Sequence, residues 1–452
     1  MMEHYGWLCL IPTLVVLLIA LKTHKTFEAL LGVSVVGMVL LLRESFFTEF
    51  TVTLTKVMID PTIGWIILVC GLFGSLIQLL VKTGGTHAFA HWLARFIDTP
   101  RKALLMTWLL GLVIFIDDYL NALTVGNSMK KLTDQFRIPR EMLAYVVDST
   151  AAPICVLIPL STWSIYVSGL LETTGAAATG EGLVAYISAI PYMAYGWLAV
   201  LIVPLVIMRV VPGLGAMKKA ELRVAAGGAL APENSPADAE EATETRESSI
   251  WDFFLPIIVL IGVTILADID ALQGVVASIA FIWLYQTLIR RKLNWVQALE
   301  ESFTGFKHMI YALAIIIMSF VLKEVNEGLG LTAFVIEGVL PIMNKAWLPA
   351  IAFLTLSAIT FATGSFWGVY ASALPIIIPL SQQMGVDPNL AIGAVISAGA
   401  FGSHACFYGD ATVLSASATG CNNMVHALSQ LPYALLAALL STGVFVVLGM
   451  VV

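Results

Sequence analysis

Charged residues are scarce in this sequence. Asp, Glu, Lys and Arg make up 12% of its 452 residues, whereas a soluble domain carries about a quarter. Apolar types reach 59%, and the mean hydropathy is +0.91. This composition excludes an ordinary soluble protein and predicts an all-α polytopic membrane protein whose surroundings are the lipid bilayer. A basic patch with interleaved aromatics is also missing, so nucleic acid is excluded as a partner.

Other missing motifs narrow the function further. The sequence has no GxxxxGK[ST] motif, so ATP does not drive this chain, and no organic cofactor is expected. It has no CxxC pair, and its cysteines lie in apolar or Gly/Ser-rich segments, which indicates core packing. No basic region precedes the first apolar run, so we expect a first spanning helix rather than a cleaved signal.

Long apolar runs alternate with short polar segments. A spanning helix needs about 20 apolar residues, and we predict spans near 5–21, 27–42, 62–82, 140–160, 183–211, 252–268, 271–289, 306–326, 389–408 and 426–451. Two further stretches, 103–129 and 348–381, are interrupted by polar residues. The polar segment 212–249 has few large apolar side chains and is predicted to be a flexible linker.

The distribution of Lys and Arg predicts the orientation. Basic clusters flank 103–129 on both sides, so they share one side of the membrane only if 103–129 is a re-entrant hairpin. The cytoplasmic side then holds all but four of the 23 Lys and Arg residues, the exceptions being Arg43, Lys56, Lys323 and Lys345. We therefore expect both termini outside, the linker 212–249 in the cytoplasm, and insertion in the cell inner membrane.

The two halves of the chain repeat one order of segments. Residues 1–211 contain the hairpin 103–129 and a broken helix at 140–160; residues 250–452 contain the hairpin 348–381 and a broken helix at 389–408. One half starts outside and the other inside. This order predicts two inverted-topology repeats, each with about five spanning helices and one re-entrant hairpin, and places a site at the midplane between the broken helices.

Four carboxylates interrupt these apolar stretches: Asp117, Asp118, Asp148 and Asp410. A carboxylate at bilayer depth costs about 2.5 kcal/mol or more, so it persists mainly where it meets a cavity, a proton path or a cation. No Lys or Arg lies in the same stretches. We therefore predict a cation or proton site, with oxygen ligands suited to Na⁺. Asp118, Asp148 and Asp410 are the predicted Na⁺ ligands. The alternative is that the Asp pair caps a water-exposed helix end.

Neutral side chains near these carboxylates extend the predicted site. Asn121 and Thr412 add oxygen ligands for a cation. The predicted substrate pocket consists of Ser149, Thr150, Ser161, Thr162, Trp163, Thr363, Gly364, Ser365, Trp367 and His404. His404 is the one group here that changes charge near neutral pH. A structural reading remains open: the hydroxyls restore hydrogen bonds at helix breaks, and the tryptophans and His404 pack in the core.

Three segments carry a family resemblance. FIDDYLNALTVGNSM, YVVDSTAAPICVLIPLSTW and GDATVLSASATGCNNMVHALSQLPYA resemble the NhaC-type sodium/proton antiporter family. The resemblance implies a secondary transporter with two hairpins, a mobile transport domain, a scaffold domain and a homodimer. One departure is that the family's Ser-Pro-x-Ser-Asp-Thr-Thr pattern is replaced here by residues 406–412, in which Asp410 and Thr412 remain.

Several functions fit these patterns. The first is exchange of Na⁺ for H⁺. The second is Na⁺- or H⁺-coupled transport of a small organic solute such as an amino acid, an amine or a guanidino compound. An ion channel is disfavoured because no repeated filter is present. An intramembrane aspartyl protease is disfavoured for two reasons. Asp118-Tyr119 reverses the Tyr-Asp order of such enzymes, and their Gly-x-Gly-Asp motif is incomplete here because Phe407 occupies the position of the first Gly. We therefore expect a transporter and not an enzyme.

Overall fold

The computed structural model describes residues 4–23, 26–42, 46–115, 117–159, 161–235, 249–267, 270–339, 344–364 and 366–451, and every regular element in these ranges is helical. The helices before residue 212 are α1 (Ile11–Thr23), α2 (Thr26–Leu42), α3 (Phe46–Ile59), α4 (Pro61–Lys82), α5 (Gly85–Ala94), α6 (Pro100–Val113), α7 (Asp118–Gln135), α8 (Arg140–Ser149), α9 (Ala152–Cys155), α10 (Thr162–Thr173), α11 (Gly182–Ala189) and α12 (Ala194–Ile207).

The remaining helices are α13 (Gly215–Ala225), α14 (Trp251–Leu266), α15 (Ala271–Leu284), α16 (Trp295–His308), α17 (Ile310–Gly328), α18 (Leu331–Val339), α19 (Leu348–Thr363), α20 (Phe366–Met384), α21 (Pro388–Ala405), α22 (Asp410–Thr419) and α23 (Asn423–Val451). Short 3-10 turns lie at Gly6–Leu10 and Ile190–Tyr192, and a π-helical turn lies at Tyr285–Ile289.

Within the described ranges, four helical segments are long and apolar enough to cross a membrane. They are Ile63–Lys82, Ala271–Ile289, Pro388–Thr419 and Asn423–Val451. The number is six if two bent pairs each count as one span. These pairs are Gly182–Tyr192 with Ala194–Ile207, bent by 52°, and Trp295–His308 with Ile310–Gly328, bent by 43°. The predicted span 252–268 forms a shorter apolar helix, Trp251–Leu266, and so does the first arm of the predicted hairpin 348–381, Leu348–Thr363. The predicted all-helical, multi-pass membrane protein is thus confirmed.

Helices end at each interruption that the sequence predicts. The helices α6 and α7 are separated at 114–117, and α8 stops at Ser149. Asp117 caps α7 by accepting the backbone N–H groups of Tyr119 and Leu120. Between α19 and α20, Gly364 adopts a left-handed conformation with φ of 67°, which glycine tolerates best. The chain breaks are therefore set by local capping chemistry.

Helices that precede residue 212 pack against helices that follow it, as well as against each other. Helix α4 packs on α15 and α16, while α17 packs on α2 and α3. Likewise, α12 packs on α6 and α21, while α23 packs on α19 and α8. All residues of α8 are buried, and so is the whole apolar window of Pro388–Thr419, which contains α21 and α22. The helices α8, α21 and α22 thus form the centre of the molecule.

The segment predicted to be a flexible linker contains a packed helix. Helix α13 lies against α8 and α23 and buries Met217, Ala220 and Val224. These residues are three and four positions apart and therefore share one helix face. The sequence expectation overlooked this stripe because the segment's overall composition is polar. Residues 236–248 of the predicted linker lie outside the described ranges.

An ion pair fastens α13 to the core. Arg223 Nη1 and Nη2 donate to Glu141 Oε1 and Oε2 over 2.8 and 2.9 Å, and Glu141 is 1% exposed. The hydrogen bonds that Arg223 donates to Glu141 raise the pKa of the Arg223 guanidinium above its usual value. The guanidinium therefore stays charged at neutral pH, and its two hydrogen bonds tie the start of α8 to α13.

Arg223→Ala is expected to destabilise the folded protein by about 1–3 kcal/mol, because it leaves the buried Glu141 carboxylate without its bidentate partner. Thermal unfolding of the purified protein in detergent measures this effect. Arg209→Ala is the matched control, since Arg209 is 3.8 Å from Glu221 with its side chain 69% exposed. That control should shift stability by under about 1 kcal/mol. Equal effects for the two variants would contradict the proposed fastening role.

Candidate functional site

Asp117 lies at the break between α6 and α7 and is 1% exposed. Its Oδ1 accepts the N–H groups of Tyr119 and Leu120, each over 3.0 Å. Its Oδ2 accepts the Thr162 hydroxyl over 3.0 Å. Both oxygens therefore hold the break together and join α7 to α10. The capping role considered from the sequence is correct for Asp117, although the cap is buried and not exposed to water.

Asp118 is the first residue of α7 and is 2% exposed. Among the described residues, its Oδ2 has no hydrogen-bond partner, and neither does Nε1 of the buried Trp163. Its charged and polar neighbours include Asp117, Asp410 and the Trp163 indole. A buried carboxylate oxygen without a donor is costly, so Asp118 is suited to bind a proton or a cation.

Asp410 begins α22 and reaches the same place from the other half of the chain. The Tyr119 hydroxyl donates to Asp410 Oδ2 over 2.5 Å, and the Ala411 N–H donates to Oδ1 over 2.9 Å. The N-termini of α7 and α22 therefore meet, and their dipoles favour negative charge there. We call Asp117, Asp118, Asp410 and Tyr119 the carboxylate cluster. No ion pair to Lys or Arg is found for its three carboxylates within the described part of the chain.

Two predicted ligands position the backbone around this cluster. Asn121 Nδ2 donates to three carbonyl oxygens, those of Gly111, Ile114 and Thr150, each over 2.7 Å. Thr412 Oγ1 donates to the Ser403 carbonyl over 3.1 Å. Asn121 thus connects the end of α6 and the end of α8 to α7, where helix termini leave carbonyl groups without helical partners.

Asp148 lies in a different polar network. Its Oδ2 accepts Gln430 Nε2 over 2.6 Å and contacts His426 Nε2 over 3.1 Å. Its Oδ1 accepts the Ser415 hydroxyl over 3.4 Å. Asp148 ends α8 and faces α23, whereas Asp118 and Asp410 begin their helices. The structure therefore does not bring the predicted ligands Asp118, Asp148 and Asp410 together as one set. Nor do three His, Cys, Asp or Glu side chains converge on a metal position anywhere in the described ranges.

His404 continues this second network. Its Nδ1 is 2.8 Å from the Tyr195 hydroxyl, and its Nε2 is 3.0 Å from the Ser149 hydroxyl. Its carbonyl oxygen accepts Gln430 Nε2. A hydroxyl can donate or accept, so both ring nitrogens are satisfied in either tautomer. We call Asp148, Ser149, Tyr195, His404, His426 and Gln430 the central network, because it joins α8, α12, α21 and α23.

Sequence reasoning missed four residues of these two groups: Tyr119, Tyr195, His426 and Gln430. A signal was present for two of them. His426 and Gln430 are four positions apart on α23, so they share one face of an otherwise apolar helix. Polar residues with that spacing in a spanning helix indicate a buried polar interface.

Most of the predicted hydroxyls satisfy nearby backbone groups. Ser161 caps α10 and donates to the Cys155 carbonyl over 2.6 Å. Thr150 donates to the Val146 carbonyl and Thr363 to the Ile359 carbonyl, over 3.0 and 2.9 Å. The structural reading of these three side chains is therefore supported by their contacts. Thr162 differs, because it donates to Asp117.

Aromatic side chains border the carboxylate cluster. Trp163 stacks on Phe366 with ring centroids 3.7 Å apart and an interplanar angle of 13°. Trp367 lies 5.7 Å from Trp163, and its carbonyl accepts the Tyr166 hydroxyl over 3.0 Å. The predicted wall of Trp163 and Trp367 is thus one packed layer, beside Asp118. Gly364 packs under the Tyr408 ring, and Ser365 lies outside the described residues.

A comparison with protein-family models identifies the family of the chain. The model of the Na⁺/H⁺ antiporter family matches residues 185–450, which is more than half of the chain. The chain belongs to the Na⁺/H⁺ antiporter family. The matched region contains Asp410, His404, His426 and Gln430, while Asp117, Asp118 and Asp148 precede it. Family membership indicates a transporter of ions rather than an enzyme.

One relative matches nearly the whole length. An uncharacterized protein of Haemophilus influenzae is 27% identical over 480 residues, covering 97% of this chain and 90% of the relative. The similarity therefore includes the N-terminal segments that hold Asp117, Asp118 and Asp148.

Proposed function

We propose that this chain is an NhaC-type antiporter that exchanges Na⁺ for H⁺ at the carboxylate cluster. The observation that carries the proposal is the meeting of three buried carboxylates from both halves of the chain. The Trp163 indole is a polar neighbour of Asp118, and no Lys or Arg side chain forms an ion pair with the cluster in the described part of the molecule. Such a group of charges requires a cation or a proton.

Electrostatics make the two cargo ions alternatives. Neighbouring buried carboxylates repel each other when all are ionised, so an empty cluster takes up a proton. A bound Na⁺ supplies the same neutralising charge and releases that proton. Carboxylate oxygens together with carbonyl oxygens at the helix breaks suit a small hard cation. The cluster therefore holds one cargo or the other, as exchange demands.

The paired contacts of the two halves support an inverted-repeat architecture. The order of helices repeats, and α4 with α15 matches α17 with α2. Likewise, α12 with α21 matches α23 with α8. We infer that α6–α7 and α19–α20 form the two re-entrant hairpins and that access alternates by movement of the hairpin-containing part. We also propose a homodimer in the inner membrane, with both termini outside.

A second candidate function is supported by the aromatic layer. Trp163, Phe366 and Trp367 lie beside Asp118. Aromatic faces next to a carboxylate suit an organic cation such as an amine or a guanidinium. Transport of such a solute, coupled to Na⁺ or H⁺, would use the same cluster and differs from ion exchange in its response to added solute.

The apparent Na⁺ affinity is expected to rise with pH and then level off. At low pH, protons occupy the carboxylates and weaken Na⁺ binding by about tenfold per pH unit for one competing proton; above the pKa the affinity becomes constant. Calorimetric Na⁺ titration of the purified protein at several pH values measures this, together with proton release in buffers of different ionisation enthalpy.

Candidate amines and amino acids serve as the control arm. If a solute is co-transported with Na⁺, it raises Na⁺ affinity, and Na⁺ raises solute affinity by the same factor. Na⁺ affinity that is independent of both pH and every solute would contradict both functions.

A further inference from the structure

A cavity of about 330 Å³ opens beside α22 on the side of the molecule that carries the predicted linker segment. It lies between α17 and α22, which pack against each other. Its wall includes Tyr311 and Ile315 of α17 and Val413, Ala416 and Ser417 of α22. At about 30 Å³ per water, the cavity has room for about ten water molecules, which is enough for a hydrated monovalent cation.

One face of helix α22 extends from this cavity to the carboxylate cluster. Val413, Ala416 and Ser417 are separated by three and four residues and form one stripe along α22. The preceding position of that stripe is Asp410. Three residues correspond to about 4.5 Å along the helix axis, so Val413 in the cavity wall lies less than one helical turn from Asp410.

The side chains of the cavity wall suit the passage of a cation and not its tight binding. Polar neutral side chains, Ser417, Asn422 and Asn423, line it. Among the described lining residues there is no Lys, Arg, Asp or Glu, and His308 is the one imidazole. The polar neutral side chains solvate a cation without holding it, and Asp410 is the first carboxyl group along the stripe. A hydrated cation therefore meets increasing attraction toward the cluster.

The outer end of the cavity is formed by the segment that follows α13. Asn234 and Ser235 line it, and Asn422 Nδ2 donates to the Asn234 carbonyl over 3.1 Å. Nearby, Arg140 N donates to the Leu230 carbonyl over 3.1 Å. These contacts place the cavity mouth at the surface where residues 226–235 cross the molecule, outside the apolar spans.

We propose that this cavity is the linker-side entrance through which hydrated Na⁺ and water-borne protons reach Asp410. The proposal rests on the function proposed for the carboxylate cluster. It adds the route, the cargo's hydration state and the side of the membrane from which the site is reached.

Cysteine labelling tests the route. Ser417→Cys places a thiol in the wall, and Ser415→Cys, two residues away and buried against Asp148, is the matched control. Both retain Cys421, whose modification is measured in the wild type. A membrane-impermeant maleimide added to inside-out vesicles should modify Ser417→Cys about tenfold faster than Ser415→Cys, since thiol reactivity follows exposure. Added to right-side-out vesicles, it should modify neither.

Equal labelling of the two variants, or faster labelling of Ser417→Cys in right-side-out vesicles, would overturn the entrance. Blocking the cavity gives a second measure. Ser417→Trp should slow Na⁺-driven proton movement in proteoliposomes by about tenfold or more, while equilibrium Na⁺ affinity stays within about twofold, because a route sets rates and not equilibrium binding. Ser417→Thr is its control. Unchanged exchange in Ser417→Trp would also reject the entrance.

These outcomes separate the two proposals. Maleimide labelling of Ser417→Cys tests whether the cavity is accessible from the linker side, and it does so even in a protein that exchanges no Na⁺. Conversely, exchange that depends on Asp410 but is insensitive to Ser417→Trp rejects this entrance and leaves the proposed function standing.

Discussion

Asp118→Asn and Asp410→Asn are each expected to abolish Na⁺/H⁺ exchange. Asn keeps the shape of Asp, including an oxygen that can accept the Tyr119 hydroxyl now bound to Asp410, but it carries no charge. Two unit charges about 4 Å apart interact by about 4 kcal/mol at an effective dielectric constant of about 20, so Na⁺ affinity should fall by about a hundredfold or more. Sodium binding by calorimetry and exchange in proteoliposomes measure the two losses.

Asp387→Asn is the matched control for these variants. Asp387 caps α21 by accepting the Asn389 N–H over 2.9 Å, and Asn is an equally good capping residue. This variant should retain exchange and Na⁺ affinity. Wild-type exchange in both Asp118→Asn and Asp410→Asn would show that the carboxylate cluster is not the cargo site.

Asp148→Ala is expected to produce the largest loss of stability, about 3–5 kcal/mol. The substitution removes the acceptor of Gln430 and the partner of His426, and both side chains are fully buried. Each donor left without a partner in the core costs about 1–3 kcal/mol. Denaturant or thermal unfolding in detergent measures this loss. Ser415→Ala is the control, and its long 3.4 Å contact should contribute under about 1 kcal/mol.

The two carboxylate groups should respond to neutralisation in opposite ways. Asp118→Asn removes one of several like charges in a buried place, so stability should stay equal or increase. Asp148 is already paired, so its loss weakens the fold. A destabilising Asp118→Asn together with a neutral Asp148→Ala would reverse these assignments of cargo site and structural network.

Local features of the sequence predicted much of this fold. The apolar runs set the helices, and the polar or glycine interruptions at Asp117, Gly364 and Asp410 set where helices end. Capping and conformational preferences act within a few residues of the chain, so a single sequence contains them. The sequence expectation of a site between broken helices also named Asp118 and Asp410 together, and Asp410 is among the charged neighbours of Asp118.

The direction in which Asp148 points could not be predicted. Asp148 follows Asp118 by 30 residues in the sequence, yet it pairs with His426 and Gln430, which are 278 and 282 residues away. Both side chains are buried Asp carboxyl groups, and only the packing of α8 against α23 distinguishes them. The existence of helix α13, in contrast, could have been predicted from the sequence. The spacing of Met217, Ala220 and Val224 carried a helical signal, and the polar composition around it hid that signal.

The carboxyl groups of the carboxylate cluster come from both halves of the chain. Asp117 and Asp118 belong to the first half, and Asp410 belongs to the second. Neither half produced alone would contain a complete site, however well it folded. Two halves made as separate chains would regain chemistry only after assembly, so ion binding would report their association directly.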